Sequence, residues 1–252
     1  MRLRLLLPLL IVSIMALAPL GMEHPAPATA QDGDNLHVPS PDWRDQVIYF
    51  IMIDRFNDGD PANNDQGANE FDPVDGRKYS GGDLQGIIDE LDYIQDLGAT
   101  AIWITPPVAN MWWDPDENSG GYHGYWAENF MAVDAHFGTL ETYQALSSAL
   151  HSRGMYLIQD IVVNHTGNFY FYDGPYNPDD PTENFNLNTA AVPVAAPSQP
   201  PFDMNDVTDP EDRAAAIYNW TPSILDFSNP DTLTYGQLSD LDDLNTDNPV
   251  VR

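Results

Sequence analysis

The sequence contains no cysteine. Disulfide staples and thiolate chemistry are both excluded, so stability has to come from a packed core, bound ions or both. Positive charge is also scarce: 9 Lys and Arg stand against 39 Asp and Glu, a formal net charge of −30 over 252 residues. Such a field repels nucleic acid and anionic lipid, which argues against both as partners. It suits hard cations held by oxygen ligands, or simply a strongly solvated surface. Long apolar runs are missing, with one exception. A basic start, Met1 to Arg4, leads into an apolar run from Leu5 to Leu20, and Ala28-Thr29-Ala30 then supplies a small-x-small cleavage pattern. Residues 1–30 read as a signal peptide, too short and too interrupted by Pro8 and Pro19 to be a membrane span. A secreted, extracellular chain with no membrane attachment after cleavage is expected, and no protein partner is inferred.

What is present is a regular alternation of elements. After a polar leader over 31–45, Val47 to Ile53 is a continuous β-branched and aromatic run, which predicts a strand buried on both faces. Residues 57–82 are a long Asn/Asp/Gly/Pro loop. Leu84, Ile87, Ile88, Leu91, Ile94 and Leu97 then recur at helical spacing, with Asp83 as N-cap and Gly98 as terminator. A second strand follows over 101–104. A second helix is marked by Leu140, Tyr143, Leu146, Ala149 and Leu150 between Thr139 and Gly154, and a third strand runs from Met155 to Val163. Strand, helix, strand, helix, strand with apolar strands is the pattern of parallel βαβ units. Residues 166–245 lack long periodic segments, and a stretch of that length predicts a small irregular subdomain rather than a plain loop.

Polar residues cluster where the strands end: Asp54-Arg55 after the first, Thr105-Pro-Pro107 after the second, Asn164-His165 after the third. In a (β/α)₈ barrel that end of the sheet is the working face. The segment Asp160-Ile-Val-Val-Asn-His165, the segment Gly98 to Pro107, the loop Gly121-Tyr-His-Gly-Tyr-Trp126 and the short motif Leu241-Asp-Asp-Leu-Asn245 together resemble the alpha-amylase family of glycoside hydrolases, in that family's order. The resemblance spans residues 46–245. It implies an α/β fold: the first three strands of a (β/α)₈ TIM barrel over 46–163, an inserted domain B over 164–245 after strand 3, and a stub of further barrel over 246–252.

The resemblance also implies roles. His123 and Tyr125 would line the subsite for the glucose unit before the scissile bond of an α-glucan or maltooligosaccharide, with Tyr125 stacking on the ring. Trp126 would support that wall, His165 would bond hydroxyls of the same glucose, and Asp160 would organise the substrate site from the third strand. Asp240 would reach the same substrate. The chemistry agrees, because sugar C–H faces pack on aromatic rings while imidazoles and carboxylates bond hydroxyls. Trp112 and Trp113 fit either a sugar platform or packing. Calcium is the implied cofactor at two places. Asn164 and Asp243 match the positions that join inserted domain to barrel. Asp58, Asp60, Asn63, Asn64, Gly81 and Asp83 resemble the N-terminal calcium loop of cyclodextrin glycosyltransferases and related bacterial amylases. Asp83 fits a helix cap equally well. No position matches the family's nucleophile or acid/base carboxylate, so no catalytic residue is assigned and the chain alone is expected to be inactive. The expected activity is retaining cleavage of α-1,4-glucosidic bonds in starch-like glucans. Transglycosylation to cyclodextrins, or glucan binding without cleavage, are the other readings.

Overall fold

The computed structural model describes residues 38–252, so the expected signal peptide and residues 31–37 of the leader lie outside the described residues. The chain enters through one 3₁₀ turn, Trp43–Asp45, and forms β1, Ile48–Ile51. A second 3₁₀ turn, Ile53–Arg55, follows at once and leads into the long loop. The single helix expected over 84–97 is two, α1 (Leu84–Asp89) and α2 (Leu91–Asp96), joined at Glu90, whose φ of −101° and ψ of 12° leave the helical range. Both halves keep the apolar stripe inward, so the periodicity is right and the continuity is not. Asp83 caps α1 by accepting from the Gly86 N–H at 2.6 Å. Only glycine serves at 86, because a Cβ there would lie 1.9 Å from the Asn57 carbonyl oxygen.

β2 is Ala101–Ile104. Between it and the next helix come four strands without a sequence signal: β3 (Val108–Asn110), β4 (Trp113–Asp114), β5 (Ser119–Gly120) and β6 (Ala127–Val133). They pair antiparallel as β3–β6 and β4–β5. The 13-residue α3, Leu140–Ser152, starts on the Thr139 hydroxyl, which accepts from the Thr142 N–H at 3.2 Å. β7, Tyr156–Gln159, completes a three-stranded parallel sheet of order β1-β2-β7, with Ile48 against Ala101 and Ala101 against Tyr156. The remaining elements are short: β8 (Tyr170–Tyr172), β9 (Phe185–Leu187), α4 (Pro210–Ala215) and α5 (Pro230–Tyr235).

Two main cores result. Ile51, Ile53, Leu84, Ile87, Leu91, Ile94, Ile102, Ile104, Leu146 and Leu150 form one cluster that joins α1, α2 and α3 to the sheet. Tyr170, Phe202, Tyr218, Trp220 and Leu244 form another, aromatic, cluster in the C-terminal part. The expectation of strands buried on both faces fails: Ile48, Phe50 and Trp103 are 45, 49 and 40% exposed. The helices cover one face, and among the described residues nothing covers the other. Phe50 and Trp103 turn to each other there, edge to face at 5.1 Å. The third strand also ends early. Asp160 N–H makes the last ladder bond, to Ile104, and Ile161 and Val163 beyond it are exposed because β2 has no residue left to pair with them. Leu97 sits on the C-cap of α2, past the last inward turn, and is 54% exposed rather than buried. Among the described residues no helix is long and apolar enough to cross a membrane.

This division of the apolar stripe is measurable in urea. Ile94→Ala empties a fully buried site and is expected to cost about 2–5 kcal/mol. Leu97→Ala, one turn along, should stay within about 0.5 kcal/mol of the parent. Equal losses would contradict the packing described.

Candidate functional site

The ends of β2 and β7 and the loop 121–126 meet around one ring of polar and aromatic side chains. Gly124 makes the loop possible: its φ is +85°, and a Cβ there would stand 2.1 Å from the Pro106 carbonyl oxygen. The turn presents His123 and Tyr125 with their rings stacked, 26° apart in plane and 5.7 Å between centroids, while Trp126 meets His123 edge-on at 4.9 Å. The Tyr125 hydroxyl donates to Asp160 Oδ2 at 2.9 Å, tying the loop to the end of β7. Burial and that bond push the tyrosine up to about 12. His165 reaches the Tyr125 carbonyl from Nε2 at 3.2 Å.

The partners fix both imidazoles. His123 Nδ1 lies 3.1 Å from the Tyr125 N–H and must accept, so Nε2 carries the proton and is a donor. His165 Nε2 faces a carbonyl and must donate, which leaves Nδ1 an acceptor. Burial holds both rings neutral. His123 is pushed down to about 4, first by burial and then by the charge of Arg55, and His165 also lies below its ordinary value because it is buried. One wall thus offers a hydrogen-bond donor, a hydrogen-bond acceptor, a carboxylate and stacked rings. Of the residues named from the sequence, the structure brings His123, Tyr125, Trp126, Asp160 and His165 into contact with one another, while the contacts of Asp240 are with other groups. Its carboxylate accepts from the Ser223 hydroxyl, and burial and the nearby Asp114 carboxylate push it up. Trp112 packs against the main core and stands edge-on to His136, so its contacts are those of packing.

Beneath the wall lies a charged network that the sequence reading did not assemble. Asp54, 1% exposed, accepts from the Ser80 N–H at 2.9 Å and the Gly81 N–H at 3.3 Å, and pairs with Arg55 at 3.2 Å. Burial nonetheless raises it to about 6. Arg55 donates to the carbonyls of Gly76 and Lys78 and to the Ser80 hydroxyl, and its guanidinium lies 3.9 Å over the Tyr122 ring. His136, 1% exposed, stands between two buried carboxylates: Nδ1 is 2.8 Å from Asp134 and Nε2 is 3.1 Å from Glu70. Tyr79 stacks on it at 3.8 Å. Asp54-Arg55 was visible as a polar pair at a strand end. Glu70 and His136 gave no signal, because they are 66 residues apart and only the loop brings them together.

The expected calcium ligands gather in two places. In the loop, Asp83 is the cap of α1, and its oxygens also accept from the N–H groups of Gly59 and Asp60. Asn64 Nδ2 donates to Asp58 at 2.7 Å, Asn63 Nδ2 points at Asp83, and Oδ1 of both asparagines is buried without a partner. At the second place Asp243, 2% exposed, accepts from the amides of Asn164 at 2.7 Å and Asn219 at 2.5 Å. Burial raises it. Among the described residues no three Asp, Glu, His or Cys side chains converge as a metal group. At the join only one expected ligand, Asp243, is a carboxylate, and in the loop the oxygens of Asp83 already accept from N–H donors. Two stranded amide oxygens beside Asp58 and Asp83 still fit a cation, because turning either amide over would aim its oxygen at the same point as a carboxylate.

Comparison with known proteins shows the family of this chain. The family model "Alpha amylase, catalytic domain" matches residues 50–252. A beta/alpha-amylase of Paenibacillus polymyxa is 47% identical over 128 residues, covering 51% of this chain and 10% of that protein. A cyclomaltodextrin glucanotransferase of Geobacillus stearothermophilus is 36% identical over 212 residues, covering 81% of this chain and 27% of that protein. The crystal structure of an Anoxybacillus alpha-amylase superposes with a TM-score of 0.59 at 38% identity, covering 84% of this chain and 36% of that one. The chain thus spans between a tenth and little more than a quarter of these two curated relatives.

The His136 network carries a pH dependence with a definite sign. Burial alone would lower this histidine, but the Asp134 and Glu70 carboxylates outweigh it and raise it above the ordinary value. Its stabilisation is therefore complete below about pH 6.5 and is lost as pH rises through the higher folded value. Thermal melting from pH 6 to 9 should fall in the parent and stay flatter in His136→Gln. Parallel curves would show that the imidazolium does not carry the network.

Proposed function

Because this chain belongs to the alpha-amylase family of glycoside hydrolases, we propose that it carries the sugar-binding wall of a secreted enzyme cleaving α-1,4-glucosidic bonds of starch-like glucans with retention. The observation behind this reading is the single ring formed by His123, Tyr125, Asp160 and His165 at the ends of β2 and β7. A glucose unit laid on Tyr125 buries its C–H face on the aromatic ring. His123 Nε2–H donates to a hydroxyl, and the free nitrogen of His165 accepts from one. Asp160, held by the Tyr125 hydroxyl, organises the wall rather than attacking the sugar. A retaining reaction needs two carboxylates about 5–5.5 Å apart, as nucleophile and as acid/base. We assign neither role to this chain, and the chain alone is expected not to cut glucan.

The same reading organises the rest: a cleaved signal peptide over 1–30, the first three βα units of a (β/α)₈ barrel over 46–163, and an inserted domain B over 164–245. Calcium would be held by Asp58, Asp60, Asn63, Asn64, Asp83 and the Gly81 carbonyl in the loop, and by Asn164 and Asp243 at the join. It would supply the positive charge that these buried oxygens lack. A transglycosylase making cyclodextrins is the second reading, favoured by the Geobacillus glucanotransferase matching 81% of the chain.

Two measurements test the proposal. Tyr125→Phe removes the hydroxyl tie to Asp160 and is expected to weaken maltoheptaose binding roughly three- to tenfold, the size of one well-made hydrogen bond. Tyr125→Ala should abolish it, and unchanged titration calorimetry for both variants would exclude this wall as the sugar site. Chelation should lower the melting temperature by several degrees in the parent and much less in Asn63→Ala/Asn64→Ala. Coincident melts with and without chelator would remove calcium from the reading.

A further inference from the structure

We propose that Arg55 is a positioning residue for His123: by clamping the Tyr122 ring and anchoring itself in the long loop, it holds the imidazole in the tautomer that presents Nε2–H to the sugar. The inference rests on the reading of the 121–126 wall as a sugar site, and its test is separable from that reading.

Arg55 lies at the end of β1 and is partly covered. Four groups fix its guanidinium: the Asp54 carboxylate at 3.2 Å, the carbonyls of Gly76 at 3.0 Å and Lys78 at 2.9 Å, and the Ser80 hydroxyl. An arginine so anchored is a rigid plate. The plate lies 3.9 Å over Tyr122, and Tyr122 meets His123 edge-on at 5.2 Å. His123 is boxed in on its other sides by Tyr125 and Trp126. Its remaining freedom is a ring flip, which would put Cδ2 in the place of Nδ1 and Cε1 in the place of Nε2, break the bond from the Tyr125 N–H and leave the tautomer unfixed. The packed Tyr122 edge opposes that flip, and the fixed positive charge nearby disfavours a second proton on the ring. The groups around His123 are the Arg55 cation, the Tyr122 and Tyr125 phenols, Asp160 through the Tyr125 hydroxyl, and His165 through the Tyr125 carbonyl. Arg55 is fixed by the loop over 57–82, through Gly76, Lys78 and Ser80. The sugar wall is thereby coupled to the fold of a loop 20–30 residues upstream of β2.

The experiment uses the intact chain, with the imidazole nitrogens of His123 followed by NMR and maltoheptaose binding followed by calorimetry from pH 5 to 8. In the parent, His123 is expected as the Nε2–H tautomer throughout. In Arg55→Gln, mixed tautomers should appear, protonation should move up by about one pH unit, and affinity should fall roughly three- to tenfold, most at pH 5. Arg55→Lys keeps the charge and loses the plate, so the pH profile should recover while the tautomers stay mixed. In a His123→Ala background Arg55→Gln should cost no further affinity. A parent-like His123 spectrum and affinity in Arg55→Gln overturns the proposal. Should Arg55→Gln fail to fold, Tyr122→Leu leaves the anchors intact and must give the same tautomer mixture; a parent-like spectrum there is equally fatal. If the parent binds no maltoheptaose while the tautomers still respond, the positioning role stands and the sugar-site reading falls.

Discussion

The Asp54 carboxylate is the peg on which the working end of this molecule hangs. It sits in the 3₁₀ turn just after the first strand, accepts the N–H groups of Ser80 and Gly81, and pairs with the arginine that follows it, while its own carbonyl takes the Gly82 N–H. The return leg of a loop of some 25 residues is thus sewn to the strand end at one point. From there Asp83 starts α1, Tyr79 stacks on His136, and Arg55 reaches Tyr122. Burying this carboxylate is unfavourable, as its raised value shows, and it is retained because so many backbone donors converge on it. Such concentration has a familiar danger, in that removing one partner leaves the rest unpaired.

The same economy governs charge elsewhere. With 39 acidic and 9 basic side chains, most buried carboxylates cannot find a cation and turn to N–H groups and amides instead. Asp242 takes the N–H groups of Phe169 and Tyr170, Asp114 takes the amides of Asn168 and Asn188, and Asp243 takes those of Asn164 and Asn219. This is why asparagine is the partner of so many acids here, and why the aromatic core of the C-terminal part can close over them without disulfides. It is also why the expected metal ligands are already partly occupied by protein donors.

How much was legible in the sequence follows from which signals are local. Strand and helix periodicity, the Asp83 and Thr139 caps and the stop at Gly98 depend on neighbours in the chain, and the alternation they mark pointed to the parallel βαβ pairing now seen for β1, β2 and β7. The wall of His123, Tyr125, Asp160 and His165 was legible through motif resemblance, since no spacing rule links residue 125 to residue 160. What stayed hidden is long-range. Glu70 and His136 carry no pattern, β3 to β6 are too short and irregular to show a period, and the break at Glu90 leaves the apolar stripe intact. Leu97 and the outer face of β1 misled for one reason: periodicity says which side of an element is apolar, but not whether anything packs against it.

The two imidazoles at the wall have opposite polarity, one showing a proton and the other a lone pair. A hydroxyl can receive from His123 and can give to His165, so a sugar offers the partner that each requires. On the proposed reading the wall would sense the direction of a hydrogen bond as well as the shape of a sugar. A fluorine in place of the hydroxyl can receive but not give, and would satisfy one histidine while leaving the other facing nothing.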